Sequence, residues 1–198
     1  MANFAAIAAA GKSLERYLNR VFEDGQPIEG KKTKAVLVRT ADFDPAAVGG
    51  KIGSPALSIY VYRVDFNKTM RAAWSTVASQ DGRARLPLDV HFLISAWAEN
   101  AEHELLILGR AMDGLEANPI LTGPLLQSFA EWAPNEGLQV VLEEVSMEAV
   151  QRTFDSLPTD YRLSVPYLAR VVRIDSRQAR PTIPVTTLVT GKAPFTTA

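Results

Sequence analysis

The side chains that could bind a metal ion or transfer a proton are few in this chain and widely spaced. Glu99 and His103 lie four residues apart, close enough on one helix face to share a metal ion. No HExxH or ExxH pattern is present, and the only other histidine, His91, falls on the polar face of a predicted strand. Asp42 and Asp44 belong to an Asp-x-Asp-Pro sequence, which is typical of a turn. These patterns favour surface pairing over a metal site.

The glycine-rich sequence GGKIGS, residues 49–54, has some features of a phosphate-binding loop. A Walker motif requires Ser or Thr after the lysine and a glycine five residues before Gly50, but Ile52 and Pro45 occupy those positions. No GxSxG elbow occurs, and the absence of cysteine excludes disulfides and thiolate metal sites. We therefore predict a protein that is not an enzyme and uses no metal or cofactor. A hydrolase built on Asp42 or Asp44 is the least favoured alternative.

The hydrophobic period changes within residues 86–121, which we expect to be the centre of the fold. Residues 86–97 alternate as in a strand, with one face made of Leu88, Val90, Phe92, Ile94 and Ala96 and the other of Asp89, His91, Ser95 and Trp97. From Asn100, a predicted N-cap, the period becomes about 3.6 and predicts a helix that ends at Asn118-Pro119. Its predicted apolar stripe is Ala101, Leu105, Leu108, Met112 and Leu115.

Further elements are predicted on both sides of this stretch. The helices are residues 3–23, with a stripe of Ile7, Ala10, Leu14, Leu18 and Val21, a short piece from Gly123, and Ser146 to Leu157. The strands are residues 34–40, 56–64, 70–78, 137–145 and 161–175. Asp81-Gly82 indicates a hairpin turn, and Pro166 indicates an edge position or a bulge in the last strand.

Together these elements predict a single α+β domain (α/β layered). Its central sheet should be mixed and largely antiparallel, flanked by the N-terminal helix, the central helix and a shorter helix. Residues 41–55 contain two prolines and three glycines and are predicted to form a long loop, a kind of segment that is often functional. We place the domain in residues 1–176 and an extended arm in residues 177–198.

Charge is unevenly distributed along the chain, although the formal net charge is only −1. Residues 1–85 carry a net charge of +5, residues 86–160 of −11 and residues 161–198 of +5. Two readings remain open: oppositely charged surfaces that attract copies of the chain, or a solvated acidic helix face. The overall balance argues against nucleic acid as a main partner, and no apolar run approaches the roughly 20 residues that span a bilayer. We expect a soluble, intracellular protein.

The C-terminal segment differs in composition from the rest of the chain. After Asp175 it has no acidic residue, and its TIPVTTLVT sequence is rich in β-branched residues, while three prolines disfavour helix. An unstructured terminus is one reading. The other is an arm that adds a strand to a partner's sheet edge, which fits the β-branched composition better.

Two sequence stretches together resemble a known family. They are PLDVHFLISAWAENAEHELLILGRAMDGLEANPIL and YRLSVPYLARVVRIDS, the second preceded by LEEVSMEAVQRTFDSL. In this order and spacing they resemble the cap, or tail-terminator, proteins of bacterial extracellular contractile injection systems, the phage-tail-like particles of the virulence-cassette and antifeeding-prophage type. The resemblance covers about residues 3–176 and contains no catalytic residues.

This resemblance implies an assembly function. Members of the family form a ring, expected to be a homo-hexamer, at the particle end distal to the baseplate, where they contact the inner tube and the contractile sheath and end the growth of both. Assembly would take place in the cytoplasm as part of a phage-tail-like particle that can later be released. Some relatives carry long extra C-terminal regions.

Two segments are predicted to make these contacts. The arm would bind a sheath subunit or ring neighbour through Arg177, Arg180, Thr182, Ile183, Val185, Thr187, Leu188 and Val189. The glycine-rich loop would lie at a tube or subunit interface through Asp42, Phe43, Asp44, Val48, Lys51 and Ile52. A stand-alone intracellular binding module that uses the arm for strand addition is the alternative from a different class.

Overall fold

The computed structural model describes residues 2–44, 52–71 and 83–179, with side chains described as far as residue 176. The described helices are α1 (Ala6–Asp24), α2 (Lys68–Arg71), α3 (Ala101–Ala117) and α4 (Met147–Asp155). The described strands are β1 (Lys34–Val38), β2 (Ala56–Phe66), β3 (Arg83–Trp97), β4 (Ile120–Thr122), β5 (Gly137–Leu142) and β6 (Ser164–Ala179). Short 3₁₀ turns cover Thr40–Phe43, Gly123–Leu125 and Ser128–Ala130.

The strands form one curled sheet in the order β1-β2-β3-β6-β5-β4. Only β1 and β2 pair in parallel, and the other neighbours are antiparallel. The prediction of an α+β domain with a mixed, largely antiparallel sheet is therefore confirmed. The long strands β3 and β6 are central, so the sequence's alternating stretch does lie in the middle of the sheet.

Helix α1 is enclosed more completely than its predicted stripe indicated. Its buried positions are Ala6, Ala9, Ala10, Gly11, Ser13, Leu14, Tyr17, Leu18, Val21 and Phe22. At 100° per residue they span about 220° of the helix circumference, whereas a surface helix buries a narrower stripe. The alanines and Gly11 permit this because small side chains let β1 and the sheet approach the helix axis. Leu37 lies within 3.0 Å of where a Gly11 Cβ would be.

Strand β3 is buried on both faces rather than on one. The predicted apolar face, including Phe92 and Ile94, lies in the main core with α1 and α3. The opposite face was predicted to be polar, yet His91 and Ser95 are buried as well. On that side, α4 and the loop after β1 cover the sheet with a second apolar cluster made of Val38, Phe43, Leu93, Val150, Phe154 and Leu157.

Helix α3 begins as predicted but presents a different face to the core. The Asn100 side chain accepts a hydrogen bond from the His103 backbone N–H at 2.8 Å and caps the helix. The buried residues are Ile107, Leu108, Ala111, Gly114 and Leu115. The prediction was wrong for Leu105, which is 57% exposed, and for Ala101, which is exposed too. The helix turns toward α1, where Gly114 accommodates Val21, and this contact could not be read from periodicity alone.

The last strand is interior and a bulge in it lies between Ala169 and Val172, so neither an edge position nor a bulge, the two alternatives predicted, is found at Pro166. Strand β6 lies between β3 and β5, and Pro166 pairs with Leu93. Its carbonyl accepts a hydrogen bond from Glu143 N–H at 3.1 Å, just past the end of β5. The proline nitrogen faces this same side, where the ladder ends, so the missing N–H is tolerated. The strand also continues to Ala179, four residues beyond the predicted limit.

Other predicted boundaries differ in detail. The Ser146 side chain caps α4 by accepting a hydrogen bond from Ala149 N–H, as predicted. The predicted strand over residues 70–78 begins inside α2, and residues 72–78 and the predicted turn Asp81-Gly82 lie outside the described residues. Strand β2 pairs directly with β3. None of the described helices has the length and apolar character needed to cross a membrane.

Candidate assembly interface

Both ends of the glycine-rich loop are anchored in the second apolar cluster. Phe43 is 4% exposed, with its ring 5.4 Å from that of Tyr60 in an edge-to-face contact and 5.9 Å from that of Trp97. Ile52 packs on the same cluster from the other end. The Phe43 side chain is thus used by the fold and is not exposed for a partner. Residues 45–51, including Val48 and Lys51, lie outside the described residues.

The two acidic residues of this loop belong to the turn that leads into it. The Asp42 carboxylate accepts a hydrogen bond from Arg39 N–H at 2.9 Å, and its other oxygen lies 3.3 Å from Arg39 Nε. The Asp44 backbone N–H donates to the Ala41 carbonyl at 3.4 Å. Asp42 therefore stabilises a 3₁₀ turn, which agrees with the turn predicted for Asp-x-Asp-Pro.

The arm begins as a continuation of β6. Ala179 pairs with Arg83, the first residue of β3, so Arg177 lies within the last residues of the strand. Residues 180–198, which contain Arg180, Thr182, Ile183, Val185, Thr187, Leu188 and Val189, lie outside the described residues. The structure therefore gives the end of the sheet from which the arm departs, and the predicted contacts of the arm remain a prediction.

A polar cluster that the sequence did not reveal lies around His91. This residue is 4% exposed, and its Nδ1 lies 2.8 Å from both carboxylate oxygens of Glu143, which follows β5. Its Nε2 lies 3.4 Å from Asp65 of β2. Arg63 contacts both carboxylates, at 3.3 Å from Glu143 and 2.9 Å from Asp65. The cluster thus joins β2, β3 and the link between β5 and α4.

Tyr62 completes the polar cluster and helps to show what it can do chemically. Its hydroxyl donates to Glu143 at 2.9 Å, and burial together with this hydrogen bond raises the Tyr62 pKa above its ordinary value. Both imidazole nitrogens of His91 face carboxylates of the protein, so neither is directed at a substrate. In the described part of the chain, no three His, Cys, Asp or Glu side chains are grouped to hold a metal. The arrangement ties strands together.

The outer edge of β1 is covered by side chains of α1. Asn19 accepts a hydrogen bond from Ala35 N–H at 3.0 Å and donates to the Ala35 carbonyl at 2.8 Å. Glu15 accepts from Leu37 N–H at 2.9 Å. These side chains occupy the backbone groups that would otherwise pair with another strand, so this edge is protected against strand addition.

Two further edges are limited by the chain itself. The Ala2 carbonyl accepts a hydrogen bond from Asp175 N–H at 2.8 Å, so the N-terminal segment covers β6 beyond Gly137, the first residue of β5. At the edge of the sheet opposite β1, strand β4 is only three residues long. The outer side of β2 differs, because β1 pairs with it only from Ala56 to Tyr60.

Charge remains segregated on the folded surface. Exposed basic side chains lie on α1 and around β1, namely Lys12, Arg16, Arg20, Lys32, Lys34 and Arg39. Exposed Glu23, Asp24 and Glu29 lie at the end of α1 and just after it, so this region is basic in net charge only. Exposed acidic side chains lie on α3 and α4 and beside them, namely Glu102, Asp113, Glu116, Glu144, Glu148 and Asp155. Apolar side chains are exposed beside the acidic ones, including Leu105, Leu106 and Met147. Such mixed patches are typical of protein contacts.

Among the described residues, the surface features of this fold are sheet edges and charged helix faces. The chain belongs to the Pvc16 N-terminal domain family, whose match covers residues 9–187. This relationship to structural terminator proteins supports the prediction that the chain is not an enzyme. No curated protein matches the sequence.

Two solved structures from contractile injection systems resemble the fold. The sheath/tube terminator of the extracellular system PVC, in its extended state, is 16% identical over 93% of this chain, with a TM-score of 0.49. The tube-terminating cap of the anti-feeding prophage is 19% identical over 93% of this chain, with a TM-score of 0.52. This chain spans 65% and 59% of the lengths of those two chains. The second likeness supports the α+β architecture.

Proposed function

We propose that this protein caps the distal end of a contractile injection particle, where it forms a homo-hexameric ring and ends polymerisation of the inner tube and the sheath. The observation that carries the proposal is the Pvc16 N-terminal domain match over residues 9–187. The protein with the same fold from the anti-feeding prophage is itself a tube-terminating cap. We place assembly of this ring in the cytoplasm, as part of the particle.

Charge segregation supports a ring. A closed ring uses heterologous contacts, in which one surface of a subunit meets a different surface of the next. The basic side chains of α1 and β1 provide one such surface, and the acidic side chains of α4, which covers the opposite face of the sheet from α1, provide another of opposite sign. Opposite charges also favour the correct orientation of neighbours during encounter. Of the two readings of the uneven charge, we therefore favour charged surfaces that attract copies of the chain over a solvated acidic helix face.

Two segments are assigned partners within this proposal. The arm, which we divide from the domain at residue 177, adds a strand to a sheath subunit or to a ring neighbour. The glycine-rich loop contacts the tube or an adjacent subunit through residues between its two anchored ends. Phe43 and Ile52 fix those ends in the second apolar cluster. The residues between them therefore start and end at defined positions on the domain.

The test is the mass of the purified full chain in solution, alone and with its tube and sheath proteins. We expect a six-subunit ring, either alone or on the tube end, and electron microscopy should show the protein at one end of particles only. Particles assembled without it should be longer and more variable in length. A protein that stays monomeric and binds neither tube nor sheath would overturn the proposal and favour the stand-alone binding module.

A further inference from the structure

Within the described residues, the C-terminal half of β2, residues 61–66, is an open strand edge. Strand β1 ends opposite Tyr60, and within the described residues no backbone group pairs with the outer side of residues 61–66. Arg63, Val64, Asp65 and Phe66 are all exposed. By contrast, α1 side chains cover β1, and the N-terminal segment covers the end of β6. Among the described strands, β2 therefore offers the longest uncovered edge.

The side chains along this edge select the kind of strand that could pair with it. Val64 and Phe66 lie on one face, opposite the core residues Val90 and Leu88, yet they are 41% and 52% exposed. Arg63 and Asp65 lie on the other face, joined by an ion pair of 2.9 Å. A bulge between Val61 and Arg63 and these charges limit nonspecific pairing. A suitable partner strand has one apolar face and one polar, uncharged face.

The sequence of the arm has this pattern in part, since one face is mostly apolar and the other carries two threonines beside Pro184 and Leu188. In an extended conformation, one face carries Ile183, Val185, Thr187 and Val189, and the other carries Thr182, Pro184, Thr186 and Leu188. In the paired strand, the apolar side chains of the first face would pack on Val64 and Phe66. The threonines of the second face would lie beside Arg63 and Asp65. Pro184 lacks an N–H, which is acceptable in a strand that becomes the new edge and would discourage any further strand from adding.

We propose that the arm of one copy of this chain adds to the β2 edge of the next copy and links the subunits of the ring. This inference rests on the proposed function and selects the ring neighbour, rather than the sheath, as the arm's partner. The donor is the end of β6 and the acceptor is β2, so the contact is heterologous and is able to close into a ring.

The reach of the arm limits how it could pair within its own chain. Ala179 pairs with Arg83, whereas Phe66 pairs with Leu88. The two positions are thus separated by two strand spacings across the sheet and five residues along β3, about 19 Å in all. Ile183, four residues beyond Ala179, reaches at most about 14 Å and cannot meet Phe66 of its own chain, whereas Val185 reaches about 21 Å and can. We choose the second copy because that pairing links subunits of the proposed ring, and the crosslinking experiment distinguishes it from pairing within one chain.

Cysteine crosslinking tests the proposal, because the chain contains no native cysteine. One full-length variant carries Val64→Cys. A second, with a tag that changes its mass, carries a single cysteine at one of positions 182–189, taken in turn. The variants are mixed, assembled into rings with tube and sheath proteins, and oxidised. Phe129→Cys, at a site that is 49% exposed in the 3₁₀ turn Ser128–Ala130, replaces Val64→Cys as the matched control.

We expect covalent heterodimers with Val64→Cys whose yield alternates along the arm, at least fivefold higher at odd than at even positions. The alternation reports strand pairing, because only one face of the arm meets Val64. Yields without a period of two, yields equal to those of Phe129→Cys, or crosslinks to sheath instead would overturn the inference. A chain that carries both cysteines and forms only an intramolecular disulfide would also overturn it. If particles are capped normally while crosslinks are absent, only this inference fails and the proposed function stands.

Discussion

At the scale of single residues, stability depends on a few contacts between distant segments. His91 and Glu143 are 52 positions apart in the sequence, yet their side chains lie 2.8 Å apart in a buried site. The two residues come from β3 and from the link after β5, which only the sheet brings together. A lone histidine on a strand carried no signal for this pairing, because its partner is identified only by the tertiary fold.

Replacing Glu143 should destabilise the protein. Glu143→Ala removes the acceptor of both the buried His91 ring and the Tyr62 hydroxyl, so we expect a loss of about 1–3 kcal/mol in the free energy of unfolding. Urea denaturation of the variant checks this. Glu144→Ala, at the adjacent exposed position, is the control and should change stability by less than about 0.5 kcal/mol. Equal effects would contradict a structural role for the His91 cluster.

Tyr167 should make stability depend on pH in the alkaline range. Burial, with a smaller contribution from the charge of Glu116, raises the pKa of this 3% exposed side chain to about 12, above the ordinary value of about 10. The folded state thus holds the proton more tightly than the unfolded state. The stabilising contribution is complete below pH 10 and is lost as the pH rises through 12.

The variant Tyr167→Phe removes this ionisation. Denaturation midpoints measured from pH 9 to pH 12 should therefore fall less steeply in the variant than in the wild-type protein. Tyr161→Phe, at a site that is 45% exposed, is the control for a lost hydroxyl. A wild-type slope retained in Tyr167→Phe would show that other groups cause the alkaline loss of stability.

At the scale of elements, the contact between α1 and α3 decides how the helices pack. Tyr17 donates its hydroxyl hydrogen to the Gly114 carbonyl, and Arg110 donates to the Val21 and Gly25 carbonyls at the end of α1. Glycine at position 114 lets the two helices approach. These contacts turn Ile107 and Ala111 inward and leave Leu105 outside, which explains the error in the predicted stripe.

Two glycines of α3 provide a matched test of this packing. A Cβ at Gly114 would lie 2.7 Å from Val21 Cγ1, whereas a Cβ at Gly109 would meet nothing within 4 Å. Gly114→Ala should therefore cost about 1–3 kcal/mol through overpacking. Gly109→Ala should stabilise the protein by up to about 1 kcal/mol through helix propensity. Thermal denaturation of both variants checks the difference, and the same sign of change in both would refute the close helix contact.

At the scale of the whole molecule, sheet edges and surface charges are the features on which the proposed ring depends. Helix α1 serves both as a core element and as the cover of the β1 edge, through Asn19 and Glu15. Uncontrolled strand addition at that edge is thereby prevented. Within the described residues, part of β2 remains uncovered, and in the proposed ring this edge and the charged helix faces would contact partners.

Assembly should change the exchange of backbone hydrogens in the glycine-rich loop. If residues 45–51 contact the tube or a neighbour, hydrogen exchange measured by mass spectrometry should slow at least tenfold there on assembly. The 3₁₀ turn at Thr40–Phe43, already fixed by Asp42 and Phe43, should change less and acts as an internal reference. Unchanged exchange in residues 45–51 would remove this loop from the proposed interface.

The sequence by itself determined the elements whose causes are local. Asn100 and Ser146 indicated helix starts because a short polar side chain caps the backbone N–H groups beside it. Alternation located the central strand, and composition located the charge segregation and the α+β class. The resemblance to terminator proteins also followed from contiguous stretches, and the family match supports it.

Only the tertiary structure decided which faces are buried and which edges are open. Periodicity shows that an element has an apolar face, but burial requires a partner from elsewhere in the chain. The second apolar cluster needs α4 over β3, the His91 cluster needs Glu143, and the interior position of Pro166 needs β5 to end beside it. Within the described part of the chain, the β2 edge is open because β1 is five residues long and β2 is eleven. Each of these features depends on how segments far apart in the sequence are arranged, and local sequence patterns do not identify which segments meet.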